Sequence, residues 1–380
     1  MKGKLLMIST EFPPLSGGIS VVSYHLAREA IKHGFPHTIV LTTKSPGYQE
    51  FDLRQKSGIE IIRVGWDSCR YLKAIPLYIK LKEEITSFQP EVLLATSWLC
   101  SGSLAYLNKD KGMPYFNLAH GLEIKKYLRN PFLRNWMRRV FKEARLTFAV
   151  SRYTSSLLLE LGITRDKIVI SKNGVDLIRF KPMDGSLIIE KHNLKGRKVL
   201  LTVGRLVPYK GQDLVIRAIP LIKKKVPNIS YLIVGEGPDK ERLRYLIKQL
   251  RLEAEVKLVG MVPDSLLPLY YNACDIFLMV NRMVNEVDFE GFGLVFLEAG
   301  ACGKPVIASV HGGVEDAVID GVNGILLPQA REDLVAEAAV RLIMNPALAK
   351  RLGEGGRRVA EGLGWDKVAG RIFSEIKKRL

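Results

Sequence analysis

The sequence predicts an α/β protein built from two doubly wound domains. Short apolar runs of strand length alternate with amphipathic stretches along the 380 residues, as expected for parallel sheets covered by helices. A polar segment at 171–196, with Asn-Gly, Lys-Pro and Asp-Gly turn signals, interrupts this alternation once. The length also suits two hydrophobic cores better than one.

The elements follow in order along the chain. Before the interruption, strands are predicted at 4–9, 37–42, 59–64, 91–96, 115–119, 146–150 and 167–170, and after it at 198–203, 230–234, 255–259, 275–280, 305–309 and 324–327. A helix at 20–33 ends at Gly34, a good helix stop. We therefore expect a first domain at 1–172, a linker at 173–197 and a second domain at 198–364. A last helix at 365–380 is expected to pack back on the first domain.

The chain is strongly basic, with 57 Lys and Arg against 39 Asp and Glu and a net charge of +18. The excess is denser in the first half, which suggests either an anionic partner there or general solubility. No apolar run is long enough to span a bilayer, and the N-terminal apolar run is too short for a signal peptide. Four cysteines (Cys69, Cys100, Cys274 and Cys302) show neither metal spacing nor a disulfide framework. We expect a cytoplasmic protein.

Two glycines, Gly17 and Gly18, follow the first strand just before the predicted helix at 20–33. Glycine lets the backbone approach a ligand closely, and amide groups at a helix start favour anions. The spacing is not G-x-G-x-x-G, and no acid follows at the distance of a ribose contact, so NAD binding is not predicted. On these residues alone, an anion site and a plain glycine turn both remain open.

Two cations, Arg205 and Lys210, lie in the stretch GRLVPYKG after the first strand of the second domain. Ligands of open α/β sheets bind in the loops at the carboxyl ends of strands. An arginine fork and a lysine point charge together match the charge of a pyrophosphate. Solvated loop cations are the alternative interpretation of this stretch.

The stretch EGFGLVFLEA, 290–299, places Glu290 and Glu298 around a Gly-Phe-Gly turn that leads into a helix from about Leu294. The free amide groups and positive end of that helix suit a phosphate. Carboxylates accept hydrogen bonds from hydroxyls, so Glu298 suits a ribose and Glu290 a sugar attached beyond the phosphate. Two ordinary surface acids are the alternative.

These motifs together resemble one known family. EGFGLVFLEA, GRLVPYKG, GEGPDKERL, VKLVGMVPDSLLPLYYNACD and GVNGILL are similar to the retaining, nucleotide-sugar-dependent glycosyltransferases of family 4. The resemblance covers nearly the whole chain and is densest from 199 to 328. It implies the GT-B fold, in which two Rossmann-like domains face each other across a cleft. The first domain binds mainly the acceptor and the second the nucleotide-sugar donor.

The resemblance also implies the role of each site residue. Arg205 and Lys210 hold the donor diphosphate and stabilise the departing nucleotide, Glu290 binds the transferred sugar, and Glu298 binds the ribose. His120, in NLAHGLE, approaches the sugar from the first domain; outside the family context it is a structural histidine. The other residues implied in donor binding are Gly17, Gly18, Gly235, Gly237, Met261, Val262, Gly291, Phe292, Gly293 and Leu294.

The resemblance further implies that attack on the sugar occurs on the face from which the nucleotide leaves, with retention of configuration and without a metal ion or cofactor. Asp288, two residues before Glu290, gives a superficial metal-binding pair, but two cations already serve the phosphates. The stretch 285–308 is most similar to the phosphatidylinositol mannosyltransferase branch, which uses GDP-mannose. This similarity favours mannose, and UDP-sugars stay open as donors.

The segment 125–145 carries eight Lys or Arg residues and one Glu, with six apolar residues at helical spacing. A basic amphipathic helix of this kind could lie on an anionic membrane and bring a lipid acceptor to the site. The same six residues could equally be the core face of a domain helix. Peripheral association with the inner face of the cell membrane is therefore a hypothesis, and the acceptor is expected to be a lipid or a glycan.

Two other functions fit parts of the pattern. Non-hydrolysing nucleotide-sugar 2-epimerases share the two-domain architecture, and they would release nucleotide without an acceptor. A nucleic-acid-binding protein would explain the net charge, but no basic motif with interleaved aromatic residues is present. We therefore expect a glycosyltransferase without a nucleic-acid partner.

Overall fold

The computed structural model describes residues 3–55, 58–65 and 74–380, and it divides the chain into two compact units. The first unit comprises the described residues up to Asn173 together with Trp365–Leu380, and the second comprises Gly174–Gly364. Each unit contains one parallel β-sheet with helices connecting its strands. The α/β class predicted from the alternation of apolar runs is confirmed.

The described residues of the first unit form a seven-stranded sheet in the order β3-β2-β1-β4-β5-β6-β7. Its strands are β1 (Lys4–Ile8), β2 (His37–Thr43), β3 (Glu60–Val64), β4 (Val92–Ala95), β5 (Tyr115–Ala119), β6 (Leu146–Ala149) and β7 (Ile168–Ile170). Its helices up to residue 173 are α1 (Gly18–Lys32), α2 (Tyr48–Leu53), α3 (Ala74–Ser87), α4 (Ser103–Leu107), α5 (Leu122–Lys125), α6 (Pro131–Glu143) and α7 (Arg152–Glu160). The central strands read as continuous apolar runs because helices cover both faces of the sheet.

The second unit forms a six-stranded sheet in the order β10-β9-β8-β11-β12-β13. Its strands are β8 (Lys198–Val203), β9 (Ile229–Val234), β10 (Val256–Gly260), β11 (Ile276–Met279), β12 (Val306–Ser309) and β13 (Gly324–Leu327). Its helices are α8 (Ser186–Lys191), α9 (Gln212–Lys223), α10 (Lys240–Gln249), α11 (Leu267–Ala273), α12 (Leu294–Ala301), α13 (Val314–Ala317), α14 (Glu332–Met344) and α15 (Pro346–Gly362). Helices α9 and α14 pack together on one face of this sheet, over a core of Val, Ile and Leu side chains.

The chain ends in α16 (Trp365–Lys377), which belongs to the first unit and packs on α1. The Trp365 ring stacks on His25 with 5.0 Å between centroids, and Phe373 lies 5.5 Å from Phe35. Phe373 and Ile376 on the inner face of α16 are fully buried. Aromatic contacts therefore attach this helix to the unit that is distant from it in sequence.

The predicted strand positions agree with the structure to within one or two residues, because most strands are apolar runs between turn residues, and the central ones are buried. One helix boundary differs. The helix predicted at 20–33 begins at Gly18, with Gly17 as its N-cap, so Gly18 lies inside the first turn. Glycine adopts many backbone conformations, so the sequence does not show which of the two glycines is the first helical residue.

Residues 174–197, for which the sequence predicts a linker, belong to the second unit. Asn272 on α11 binds this segment to the second unit. Its amide nitrogen donates to the Lys181 carbonyl, and its amide oxygen accepts from the Met183 amide at 2.9 Å. Helix α8 also lies within this segment and packs on α11. Turn-rich composition indicated an irregular path here and did not show that the path is packed.

Two further sequence predictions concern single features of the chain. Within the part that the structure describes, no helix has both the length and the apolar character required to cross a membrane. Cys100, Cys274 and Cys302 are free cysteines. Burial raises the pKa of the Cys274 thiol to about 12 and that of Cys100 to about 11. Cys69 lies outside the described residues.

Candidate active site

The carboxyl ends of β8 and β11 meet where the strand order of the second sheet reverses. β8 pairs with β9 on one side and with β11 on the other. Ligands of doubly wound sheets bind at such a point because the two loops that leave it diverge. The loop after β8 carries Arg205 and Lys210, and the loop after β11 leads to Glu290.

Lys210 and Glu290 form an ion pair at this edge of the sheet. The Lys210 ammonium donates to Oε2 of Glu290, and only 12% and 14% of the two side chains are exposed. Desolvation disfavours the charged form of Lys210, but the Glu290 carboxylate outweighs it, so the pKa of Lys210 is raised. The lysine therefore stays cationic at neutral pH. The sequence predicted both residues for the site but not their direct contact.

The backbone geometry of two loops brings this pair together. Gly211 has a φ of 72°, and a Cβ at that position would lie 2.0 Å from the Val280 carbonyl oxygen, so the loop that carries Lys210 rests directly on the end of β11. The Arg282 amide donates to the Tyr209 carbonyl at 2.9 Å. A side chain larger than hydrogen at position 211 would separate the two loops.

The two loops are tied together by side chains that the sequence did not indicate. Asp213 in the first turn of α9 is 6% exposed, and it pairs with Arg282 at 2.7 Å and with Arg242 at 3.4 Å. Asn281, which is buried, donates from its amide to Oε2 of Glu290 at 3.4 Å. Their place in the sequence could have indicated a role in the site, because Asn281 and Arg282 directly follow β11 at the carboxyl edge of the sheet.

The Gly-Phe-Gly turn precedes α12, which begins at Leu294 as predicted. Gly293 is the N-cap with a φ of 89°, and a Cβ there would lie 2.5 Å from the Phe296 ring. The turn is held from behind, because the Gly313 amide donates to the Glu290 carbonyl at 2.7 Å. Phe292 is buried, and Gly291 lies between it and Glu290. The first amide groups of α12 therefore follow Glu290 closely in sequence, and the positive N-terminal end of a helix favours a bound anion.

Glu298 lies one turn into α12. Its Oε2 atom accepts a hydrogen bond from the Tyr271 hydroxyl at 2.6 Å. Burial raises the pKa of this carboxyl group, while the Tyr271 hydroxyl and the Arg179 guanidinium act in the opposite direction. Glu298, the second acid predicted for the site, is therefore held in place by a buried tyrosine.

The other predicted donor-site residues line the neighbouring strand ends of the same sheet. Arg205 is exposed, and its side chain forms no hydrogen bond or ion pair with the described part of the chain. Gly235 and Gly237 pack against the loop after β8. A Cβ on Gly235 would lie 2.0 Å from the Gly204 carbonyl oxygen, and a Cβ on Gly237 would lie 2.2 Å from the Leu206 carbonyl oxygen. Two further predicted residues follow β10 directly, the exposed Met261 and the partly exposed Val262.

In the first unit, His120 follows β5, and Gly17 follows the loop after β1. The ring Nε2 of His120 lies 2.9 Å from the Thr96 carbonyl; because a carbonyl only accepts, this nitrogen donates the hydrogen bond. Glu11, which the sequence did not indicate as a site residue, lies near both positions. Desolvation raises the pKa of Glu11, the nearby His120 lowers it, and the Glu123 carboxylate raises it. A Cβ on Gly17 would lie 3.7 Å from the Glu11 carboxylate.

The predicted residues thus form two groups, one within each unit. Lys210, Glu290 and the start of α12 come together in the second unit, with the remaining predicted donor residues at adjacent strand ends. His120, Gly17 and Gly18 belong to the first unit. Among residues 3–55, 58–65 and 74–380, no cluster of three or more His, Cys, Asp or Glu side chains has the arrangement of a metal site.

The basic segment 125–145 contains α6, and most of its apolar stripe faces the core. Met137, Val140 and Phe141 are fully buried, whereas Phe132 is 87% exposed. Arg138 and Arg139 are exposed on the outer face. Of the two alternatives for this helix, the core face therefore accounts for most apolar residues, and the outer face presents a basic surface.

Comparisons with known proteins give a consistent family. Residues 186–359 match a model described as glycosyl transferases group 1, and residues 16–179 match a model described as Glycosyltransferase Family 4. The GDP-mannose-dependent alpha-(1-6)-phosphatidylinositol monomannoside mannosyltransferase of Mycolicibacterium smegmatis is 30% identical over 373 residues, with 94% of this chain and 93% of that protein covered. The protein of the same name from Mycobacterium tuberculosis H37Rv is 28% identical, with 98% of each chain covered.

Solved structures resemble the chain over its whole length. Anabaena HepE in complex with UDP superposes with a TM-score of 0.83 at 20% identity, covering 99% of this chain and 100% of that one. Sucrose-phosphate synthase from Thermosynechococcus elongatus gives a TM-score of 0.83 at 22% identity, covering 98% of each chain. The predicted GT-B fold is confirmed. These findings favour the glycosyltransferase prediction over the 2-epimerase and nucleic-acid alternatives.

Proposed function

This chain belongs to the glycosyltransferase family matched by the group 1 and Family 4 models, and we propose that it transfers a mannosyl group from GDP-mannose to a glycolipid or glycan acceptor. The observation that carries the proposal is the Lys210–Glu290 ion pair beside the N-terminal end of α12. It combines a cation for phosphate with a carboxylate for hydroxyls. The names of the mannosyltransferase relatives support GDP-mannose as donor and a phosphoinositol glycolipid as acceptor.

In this proposal the donor diphosphate binds Arg205, Lys210 and the amide groups at 292–294. An ammonium has three N–H donors, so Lys210 can hold Glu290 and a phosphate oxygen together. As the bond between sugar and phosphate breaks, negative charge grows on the phosphate, and these fixed donors stabilise it without reorganising. The proposal includes no metal ion, because the protein itself already supplies this positive charge.

Glu290 is assigned to the hydroxyls of the transferred sugar. An ion-paired carboxylate is a poor nucleophile, which supports transfer on one face of the sugar, with retention, over a double displacement through a glycosyl-enzyme. The role implied for His120 is a contact with the sugar, made by the ring nitrogen that does not meet the Thr96 carbonyl. Gly17 and Gly18 are assigned to the phosphate and acceptor side.

The donor is tested by thermal unfolding with GDP-mannose, UDP-glucose, UDP-N-acetylglucosamine and ADP-glucose. A ligand at 100 times its dissociation constant adds about 2.7 kcal/mol to the free energy of unfolding. We expect GDP-mannose to raise the Tm, by about 2–4 °C for each kcal/mol in a unit of this size. Stabilisation by the UDP- or ADP-sugars without an effect of GDP-mannose would contradict the mannosyl assignment.

Variants of the ion pair separate its two functions. Lys210→Met removes a charged donor to the phosphate and leaves the Glu290 carboxylate to repel it, so GDP binding should weaken about 10- to 100-fold. Glu290→Gln should leave GDP binding within a few-fold and lower transfer by at least about 100-fold, measured as GDP release with acceptor.

Glu354→Gln is the matched control for both variants, since it removes a carboxylate from an exposed pair with Lys350 on α15. It should change neither measurement. Normal turnover in Glu290→Gln, or unchanged GDP affinity in Lys210→Met, would refute the assigned roles.

The basic outer face of α6 suggests peripheral binding to an anionic membrane. The double variant Arg138→Glu/Arg139→Glu should lower cosedimentation with phosphatidylserine-containing vesicles at least about tenfold, because each basic residue at such a surface contributes about 1 kcal/mol. Lys224→Glu/Lys225→Glu, on exposed residues after α9, makes the same change in net charge and should have little effect. Equal loss in both double variants would show a general charge effect and remove α6 from the proposal.

A further inference from the structure

Tyr271 lies behind Glu298 inside the second unit. The Tyr271 side chain is fully buried in α11, and its hydroxyl donates to Oε2 of Glu298 at 2.6 Å. The other carboxylate oxygen, Oε1, forms no hydrogen bond with the residues that the structure describes. One oxygen of Glu298 is therefore fixed from the protein interior, and the second is available to a ligand.

The Tyr271 ring is held in place by aromatic neighbours. Its centroid lies 5.7 Å from that of Phe180 in an edge-on contact and 5.5 Å from that of Phe277. Phe277 in turn contacts Phe296 on α12 at 5.9 Å. A ring packed in this way cannot turn its hydroxyl away from α12 without disrupting the core.

The helix that carries Glu298 is fixed as well. α12 packs closely on α15, where a Cβ at Gly356 would lie 2.9 Å from the Gly300 Cα. Arg357 on α15 donates to the Ala301 carbonyl at 2.9 Å. Both partners of the Tyr271–Glu298 hydrogen bond therefore lie on rigid elements, which is the arrangement that keeps a binding group in one orientation.

The hydrogen bond also affects the charge of Glu298. Burial raises the pKa of this carboxyl group, and the Tyr271 hydroxyl opposes that rise by stabilising the carboxylate. Arg179 acts in the same direction as Tyr271, and Asp264 acts against it. A charged carboxylate is the better acceptor for hydroxyl donors, since hydrogen bonds to ionised groups are about twice as strong as neutral ones.

We propose that Tyr271 is a positioning residue for the nucleotide ribose: it holds Glu298 so that the free carboxylate oxygen accepts hydrogen bonds from the vicinal hydroxyls. This inference rests on the proposed function, because it takes Glu298 as the ribose contact of the donor. It adds a residue that touches no substrate and acts through Glu298. The neighbouring Tyr270 has no such role, since its hydroxyl meets His192 Nε2 at 3.0 Å.

The test measures dissociation constants for GDP and 2′,3′-dideoxy-GDP by calorimetry on the full chain. In wild-type protein GDP should bind more tightly, because only GDP has the ribose hydroxyls. Tyr271→Phe should reduce the ratio of the two constants about 5- to 10-fold, as expected when the support of a hydrogen bond to a charged group is lost. Tyr270→Phe is the matched control, since it removes the hydroxyl of an adjacent buried tyrosine, and it should leave the ratio unchanged.

The ratio of the two dissociation constants shows whether Tyr271 positions Glu298 for the ribose or only stabilises the fold. If Tyr271→Phe weakens both nucleotides equally, or changes the ratio no more than Tyr270→Phe, the inference is overturned. Glu298→Gln tests the proposed function independently: it should abolish most of the discrimination, and an unchanged ratio would show that the ribose does not bind Glu298. UDP and its dideoxy analogue are measured in parallel, so that the ratio is obtained for either base.

Discussion

The electrostatic balance between Lys210 and Glu290 is the interaction on which the proposed site depends. The two side chains are mostly buried, and the Glu290 carboxylate offsets the desolvation of the Lys210 ammonium. Each also matches one part of a nucleotide sugar, the cation the phosphate and the carboxylate the hydroxyls. The pair therefore keeps Lys210 cationic and aligned before a donor arrives, which in the proposed mechanism reduces the reorganisation needed when the bond to phosphate breaks.

The rest of the second unit supports this pair from several directions. The close contact of Gly211 with β11 sets the distance between the two loops, and Asp213 joins them through Arg282. The left-handed Gly293 starts α12 beside the pair, and Tyr271 holds Glu298 one turn further along. The residues proposed to contact phosphate, sugar and ribose are thus fixed by separate local interactions on one sheet edge. This arrangement explains why the site residues are widely spaced in sequence.

Much of the fold followed from the sequence, because the central strands of the two sheets are buried apolar runs bounded by turn residues, whereas edge strands such as β3 and β7 are only partly buried. Lys210, Glu290 and Glu298 could be proposed for the candidate site from the sequence, because they lie in the loops that follow strands or one helical turn after such a loop. Their partners were not predictable: Asp213, Asn281 and Tyr271 look like ordinary helix-start, loop and core residues. Only the three-dimensional contacts show that Tyr271 meets Glu298 and that residues 174–197 are packed on α11.

A crystal structure of the protein with GDP-mannose tests the central claim most directly. The account predicts a phosphate oxygen about 3 Å from the Lys210 ammonium and from the amide nitrogens at 292–294, with Glu290 facing the mannose hydroxyls. A diphosphate bound away from Lys210 and from the start of α12, or held within the first unit, would contradict it.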